Sequence, residues 1–157
     1  MQQLLVFSLD GNAYGLPLSC VQGVYRAAQP RPLPDAPPLL LGLLNLHGEV
    51  LPVYDTRRRL QVPAKPLALT DALVLVQAGE RRLLLLVDEV GELQAYDTKE
   101  LQPPATLPRP HALVAAVLPV AGGLIMLCDP ATLLPPVEAM WHDQTLPALE
   151  ADHVATD

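Results

Sequence analysis

Apolar positions along this chain come in short runs separated by turn residues, the pattern of β-strands rather than of helices. Leu4–Leu9 is apolar, and Asp10-Gly11-Asn12 supplies turn chemistry for a hairpin into Tyr14–Leu18. Val21–Arg26 alternates, which predicts Val21, Gly23 and Tyr25 on one face and Gln22, Val24 and Arg26 on the other. Leu39–Leu46 and Val50–Tyr54 flank a turn at His47-Gly48. Further strands are predicted at Ala72–Val76, Arg82–Val87, Gly91–Tyr96, Leu113–Val120 and Leu124–Cys128, the last two joined through Ala121-Gly122-Gly123. Asp55 and Asp129 precede single helical turns, Thr56–Leu60 and Pro130–Leu134, and their carboxylates suit N-capping. Proline-rich connectors fall at Pro30–Pro34, at Pro63–Pro66 and on the link through Pro110.

The halves resemble one another. Leu4-Leu5-Val6-Phe7 matches Leu73-Val74-Leu75-Val76, and Leu16–Val24 lies over Leu85–Leu93 at the same offset. A slightly longer offset aligns the stretch from Gly42 with that from Ala116, so that Gly48 meets Gly122, Asp55 meets Asp129 and Leu60 meets Leu134. Each half therefore reads strand, turn, strand, strand, connector, hairpin, capped turn. Five short antiparallel strands avoid open edges by curling into a small barrel. About 70 residues make only a marginal core, so two such barrels are expected to pack side by side. The expected organisation is one all-β domain over residues 1–135, with barrels at about 1–70 and about 71–135 whose terminal strands are free to exchange. An acidic tail, 136–157, is expected to be mobile apart from a short helix around Val137–His142.

Composition narrows the function. Half of the residues are hydrophobic, 17% are charged and 18 are proline, which supports a packed β-core and disfavours long helices. A net charge of −7 disfavours nucleic acid, and the basic run Arg57-Arg58-Arg59 is expected to be the solvated face of one turn. No signal peptide or membrane span is legible, and the expected location is cytoplasmic. Cys20 and Cys128 sit among apolar residues as small buried side chains. His47, His111, His142 and His153 show no metal-ligand spacing, and no cofactor is implied. No nucleophile elbow or phosphate loop occurs, and Gly122-Gly123 reads as a hairpin turn. Asp88-Glu89 reads as a polar bend leaving the sheet rather than a catalytic pair. The residues ask for a binding protein, not an enzyme.

Four motifs resemble the CheW-like family of chemotaxis coupling proteins. They are YGLPL from Tyr14 with VQGV from Val21, GLLNLHGEVLPVYDTRRRL from Gly42, LLLVDEVGEL from Leu84 and LIMLCDPATLL from Leu124. The second resembles that family's signature G-x-x-N-L-R-G-x-x-x-P-V-x-D-L-R. The resemblance spans about residues 4–134 and implies two five-stranded SH3-like barrels. It also implies an adaptor that couples methyl-accepting receptor tips to the regulatory domain of a CheA-type histidine kinase. The matching receptor-groove positions are Val21, Val24, Gly42, Asn45, His47 and Gly48. Asn45 equally suits a turn-holding role, and Val21 and Val24 equally suit the core. Two departures stand out: His47 replaces the signature arginine, and Gly23 replaces an acidic residue common after V-Q. Histidine offers fewer donors than guanidinium and no permanent charge, which points to a specialised partner. The competing expectation is a small-molecule sensor using the groove between the barrels as its pocket.

Overall fold

The computed structural model describes residues 1–107 and 111–149. Its ten strands are β1 (Gln2–Leu9), β2 (Asn12–Pro17), β3 (Val21–Arg26), β4 (Leu40–Leu46), β5 (Glu49–Asp55), β6 (Ala72–Ala78), β7 (Arg81–Val87), β8 (Glu89–Tyr96), β9 (Val114–Val120) and β10 (Gly123–Cys128). Two α-helices, α1 (Thr56–Arg59) and α2 (Pro136–Gln144), and several 3-10 turns complete the described elements. Every strand expected from the hydrophobic pattern is present. The caps are as expected too: Asp55 accepts from the Arg58 N–H at 3.2 Å, and Asp129 from the Ala131 N–H at 3.0 Å.

The strands form two five-stranded sheets, in the orders β8-β1-β2-β10-β9 and β3-β6-β7-β5-β4. Under the sequence repeat β1 and β2 correspond to β6 and β7, β3 to β8, and β4 and β5 to β9 and β10. That substitution turns the first order into the second. The correspondence reaches single residues: Gly15 pairs with Leu127 in the first parallel ladder, and their counterparts Leu84 and Val53 pair in the second.

This topology redraws the boundary at about residue 70. The first sheet takes β1 and β2 from before that point and β8, β9 and β10 from after it; the second sheet does the reverse. Each sheet thus holds three strands of one half and two of the other, and the second sheet is the contiguous run from β3 to β7. The physical reason lies at two crossovers. The chain leaves the first sheet through the 3-10 turn Leu18–Cys20 and enters β3, and it leaves the second at Asp88 and enters β8.

Alternation gives each sheet two buried faces. Leu4, Tyr96, Leu118, Ile125 and Leu127 fill the inside of the first sheet, and Leu51, Val53, Leu73, Leu75 and Leu84 fill the second. The alternate positions, among them Leu5, Phe7, Leu9, Val74, Val76, Leu83 and Leu85, meet in a larger shared layer between the sheets. Strands buried on both faces explain the near-continuous Leu/Val runs. Cys20 and Cys128 lie in this layer, and burial pushes their thiols up to about 11 and about 12.

Three other expectations change. A bulge between Val21 and Gly23 reverses the faces of β3: Val21 packs on the shared layer and Tyr25 on the inside of the second sheet. The arginine run is not a solvated face. Arg57 is buried and bidentate to Asp88 at 2.8 and 2.5 Å; it also donates to the Pro63 carbonyl. Arg58 donates to the Pro38 carbonyl, and Arg59 to those of Leu133 and Thr132. Finally, the chain after Pro135 is docked as far as it is described. Glu138, His142 and Leu146 are buried, and Ala139 and Trp141 pack on the shared layer. The tail from Glu150 and the connector 108–110 lie outside the described residues.

Candidate partner-binding surface

The six positions matched by the resemblance all fall on the second sheet, on its two edge strands and the β4–β5 hairpin. In strand order β3 and β4 are opposite ends, yet the sheet curls until they approach. The rings of Tyr25 on β3 and His47 at the hairpin tip lie 6.2 Å apart, tilted by 56°.

The hairpin is built by its own residues. His47 (φ 52°) and Gly48 (φ 90°) both sit in the left-handed region that a two-residue hairpin turn demands. Asn45 Oδ1 accepts from the Gly48 N–H at 2.8 Å and locks the turn. Asn45 and Gly48 are therefore turn-builders, and what they present to solvent is His47. Gly42 is buried. A Cβ there would lie 2.6 Å from the Arg31 carbonyl carbon, because Arg31 and Leu43 exchange backbone hydrogen bonds at 2.9 Å. Its role is to let that connector close over β4.

On β3, Val21 is half-buried against the shared layer. Val24 pairs with Val74, whose side chain lies in that layer, but at the sheet edge Val24 stays 45% exposed. Of the six, Val24, Asn45, His47 and Gly48 are exposed, Val21 is half-buried and Gly42 is buried. The shared layer fills the space between the sheets.

Sequence reasoning missed two features here. Tyr25 folds back over Gly23, where an added Cβ would come within 2.7 Å of the Tyr25 hydroxyl, and it links β3 to His47. A polar chain crosses the same end of the sheet: Arg82 donates to Gln22 at 2.9 Å and to Glu49, and Gln22 donates to Gln77 at 2.6 Å. The period-two pattern carried a signal for this chain, since Gln77, Arg82 and Glu49 continue the inward positions Leu75, Leu84 and Leu51 to the sheet's end.

A separate cleft of about 200 Å³ is lined by Arg57, Asp88, Lys65 and Asp71, among others. Arg57 is already paired with Asp88, and Lys65 with both oxygens of buried Asp71 at 2.6 and 2.7 Å, while Asp55 caps α1. The cleft is smaller than ordinary ligand pockets of roughly 300–1,000 Å³. Among the described residues no group of His, Cys, Asp and Glu is placed to hold a metal ion. No helix among them is long and apolar enough to cross a membrane.

Two five-stranded sheets with reciprocally exchanged strands, a shared apolar layer and an exposed hairpin flank define a duplicated all-β module with the makings of a docking protein. The family model for the CheW-like domain matches residues 3–138, and the chain belongs to that family. It is 25% identical to the chemotaxis protein CheW of Rhizobium meliloti (strain 1021), over 87% of this chain and 90% of that protein. The chemotaxis protein CheW of Bacillus subtilis (strain 168) is 24% identical over 64% of this chain and 65% of its own length. Among solved structures, the crystal structure of scaffolding protein TtCheW from Thermoanaerobacter tengcongensis superposes with a TM-score of 0.75 at 23% identity, covering 82% of this chain and 88% of that one.

Proposed function

We propose that this protein is a chemotaxis coupling adaptor, a scaffold without catalytic activity that acts in the cytoplasm. It joins the tip of a methyl-accepting receptor to the regulatory domain of a CheA-type histidine kinase. The observation that carries this reading is membership of the CheW-like family across residues 3–138, nearly the whole described chain. The receptor side is the flank formed by Val24 on β3 and His47 on the β4–β5 hairpin. Val21, Gly42, Asn45 and Gly48 hold that flank in shape. An apolar anchor beside a polar rim is how modest interfaces concentrate their binding energy.

The test is binding of the purified protein to a receptor hairpin and to a kinase regulatory domain from its own genome. Val24→Asp is expected to weaken receptor binding by about tenfold or more, the loss of one well-buried anchor, while leaving the melting temperature within a few degrees. Failure to bind either partner overturns the adaptor reading. Unfolding of Val24→Asp instead assigns that side chain to the core.

A further inference from the structure

Helix α2 is docked with two ionisable side chains on its buried side. Its apolar residues Val137 and Met140 point outward, 66% and 59% exposed, while Glu138 and His142, one turn apart, are buried at 2% and 7% exposure. Glu138 Oε1 accepts from the Leu39 N–H at 2.8 Å, and its Oε2 has no hydrogen-bond partner. The His142 ring lies over Tyr54, with Nδ1 3.4 Å from the tyrosine hydroxyl. Ala139, Trp141 and Leu146 give this side its apolar contact, but the ionisable groups buried beside them weaken the seat, and weakly seated elements open first. The pair that clasps the far end, Arg81 bidentate to Asp143 at 3.0 and 2.9 Å, is partly solvated and adds little.

We propose that α2 is an acid-released latch. At neutral pH it covers Tyr54 and Leu39 on the flank of the shared layer, and on acidification it detaches as a unit while both sheets stay folded.

His142 sets the direction. Burial lowers its pKa from 6.5, with Arg81 acting in the same sense and Asp143 opposing. The docked helix therefore binds fewer protons than the free one, so docking is fully present above 6.5 and is lost as the pH falls below it. Tyr54 on β5, Arg81 on β7 and Asp143 on α2 face the ring, and Glu49, Glu80 and Arg82 line the same cleft. Glu138 opposes this trend. Burial raises its pKa from 4.5, against the Leu39 N–H and Arg58, so taking up a proton there favours docking. Docked Glu138 starts to take up its proton above its ordinary 4.5, so it tempers the response that His142 sets. Arg59 and His111 share the cleft at that end of the helix.

The experiment is hydrogen exchange on the whole chain at about pH 7.5 and about pH 5.5, corrected for intrinsic rates, with emission of Trp141 as a second readout. Opening of residues 137–146 is expected to rise at the lower pH, by at most about tenfold, the limit that one proton taken up at the free value of 6.5 can supply. Strand protection should hold, and Trp141, the single tryptophan, should shift to longer wavelength. His142→Phe keeps a ring on Tyr54 that takes no proton and should abolish the response; His142→Leu gives the same answer should the phenylalanine not fold. Glu138→Gln should steepen it. Equal protection of α2 at both pH values overturns the latch. So does an acid response that survives loss of the histidine, or loss of strand protection together with α2.

Discussion

At the scale of single residues, the largest contributions come from side chains that tie separate segments together. Arg57 on α1 grips Asp88 at the crossover into β8, and the Asp10 N–H donates to Asp88 at 2.9 Å, so the first hairpin joins the same staple. Removing one partner leaves a poorly solvated charge behind. Arg57→Ala is expected to destabilise the fold by about 2–4 kcal/mol in denaturant titration, somewhat below the range for a fully buried pair. The arginine also holds the Asp88 carboxyl below its ordinary 3.8. The folded state then binds fewer protons than the unfolded one, so this stability is present above 3.8 and drains away as the pH falls through the depressed value. Asp88→Asn should therefore flatten the acid limb of a stability-against-pH curve. Gly42→Ala forces a Cβ into the Arg31 carbonyl, and strain of that kind costs about 1–3 kcal/mol.

At the scale of elements, the hydrophobic pattern located the strands because a strand's period and its turn residues are local properties. It also placed α2, expected around Val137–His142 and found at Pro136–Gln144, but not the docking of that helix. With Val137 and Met140 outside, and Glu138 and His142 buried beside Ala139 and Trp141, the contact face is too mixed to read as an apolar stripe, so a tail read from polarity looks mobile. The face assignment on β3 failed for a similar reason: one bulge residue inverts every position beyond it, and bulges carry no reliable signature. The caps, by contrast, were legible. Replacing Asp55 with Ala should cost about 1 kcal/mol, and Asp129→Ala a similar amount, measured by thermal unfolding. Of the candidate surface, the hairpin and its turn residues were visible in NLHG. The approach of Tyr25 to His47 was not, because it depends on how far the sheet curls.

At the scale of the whole molecule, reciprocal exchange means that neither half of the chain holds a complete sheet. Cutting the Pro63–Pro66 connector should yield two fragments that are each unfolded by circular dichroism. Mixed together, they should recover the β-spectrum and one cooperative transition. Two fragments that fold separately would contradict the strand orders described above. No backbone ladder joins the two sheets, so the large shared apolar layer, with the two direct crossovers, makes them one thermodynamic unit. A rigid platform of this kind suits an adaptor, which keeps two partners at a constant spacing.

The amino-acid sequence alone determined the all-β class, the internal duplication, the capped turns and the family, because these rest on local periodicity and on residues close together in the chain. Tertiary structure decided which half supplies which strand, where Arg57 and Asp88 meet, which of the six surface positions stay exposed, and that α2 docks with Glu138 and His142 inward. Those outcomes depend on distances between segments far apart in the chain, and on competition between burial and pairing that no short stretch contains.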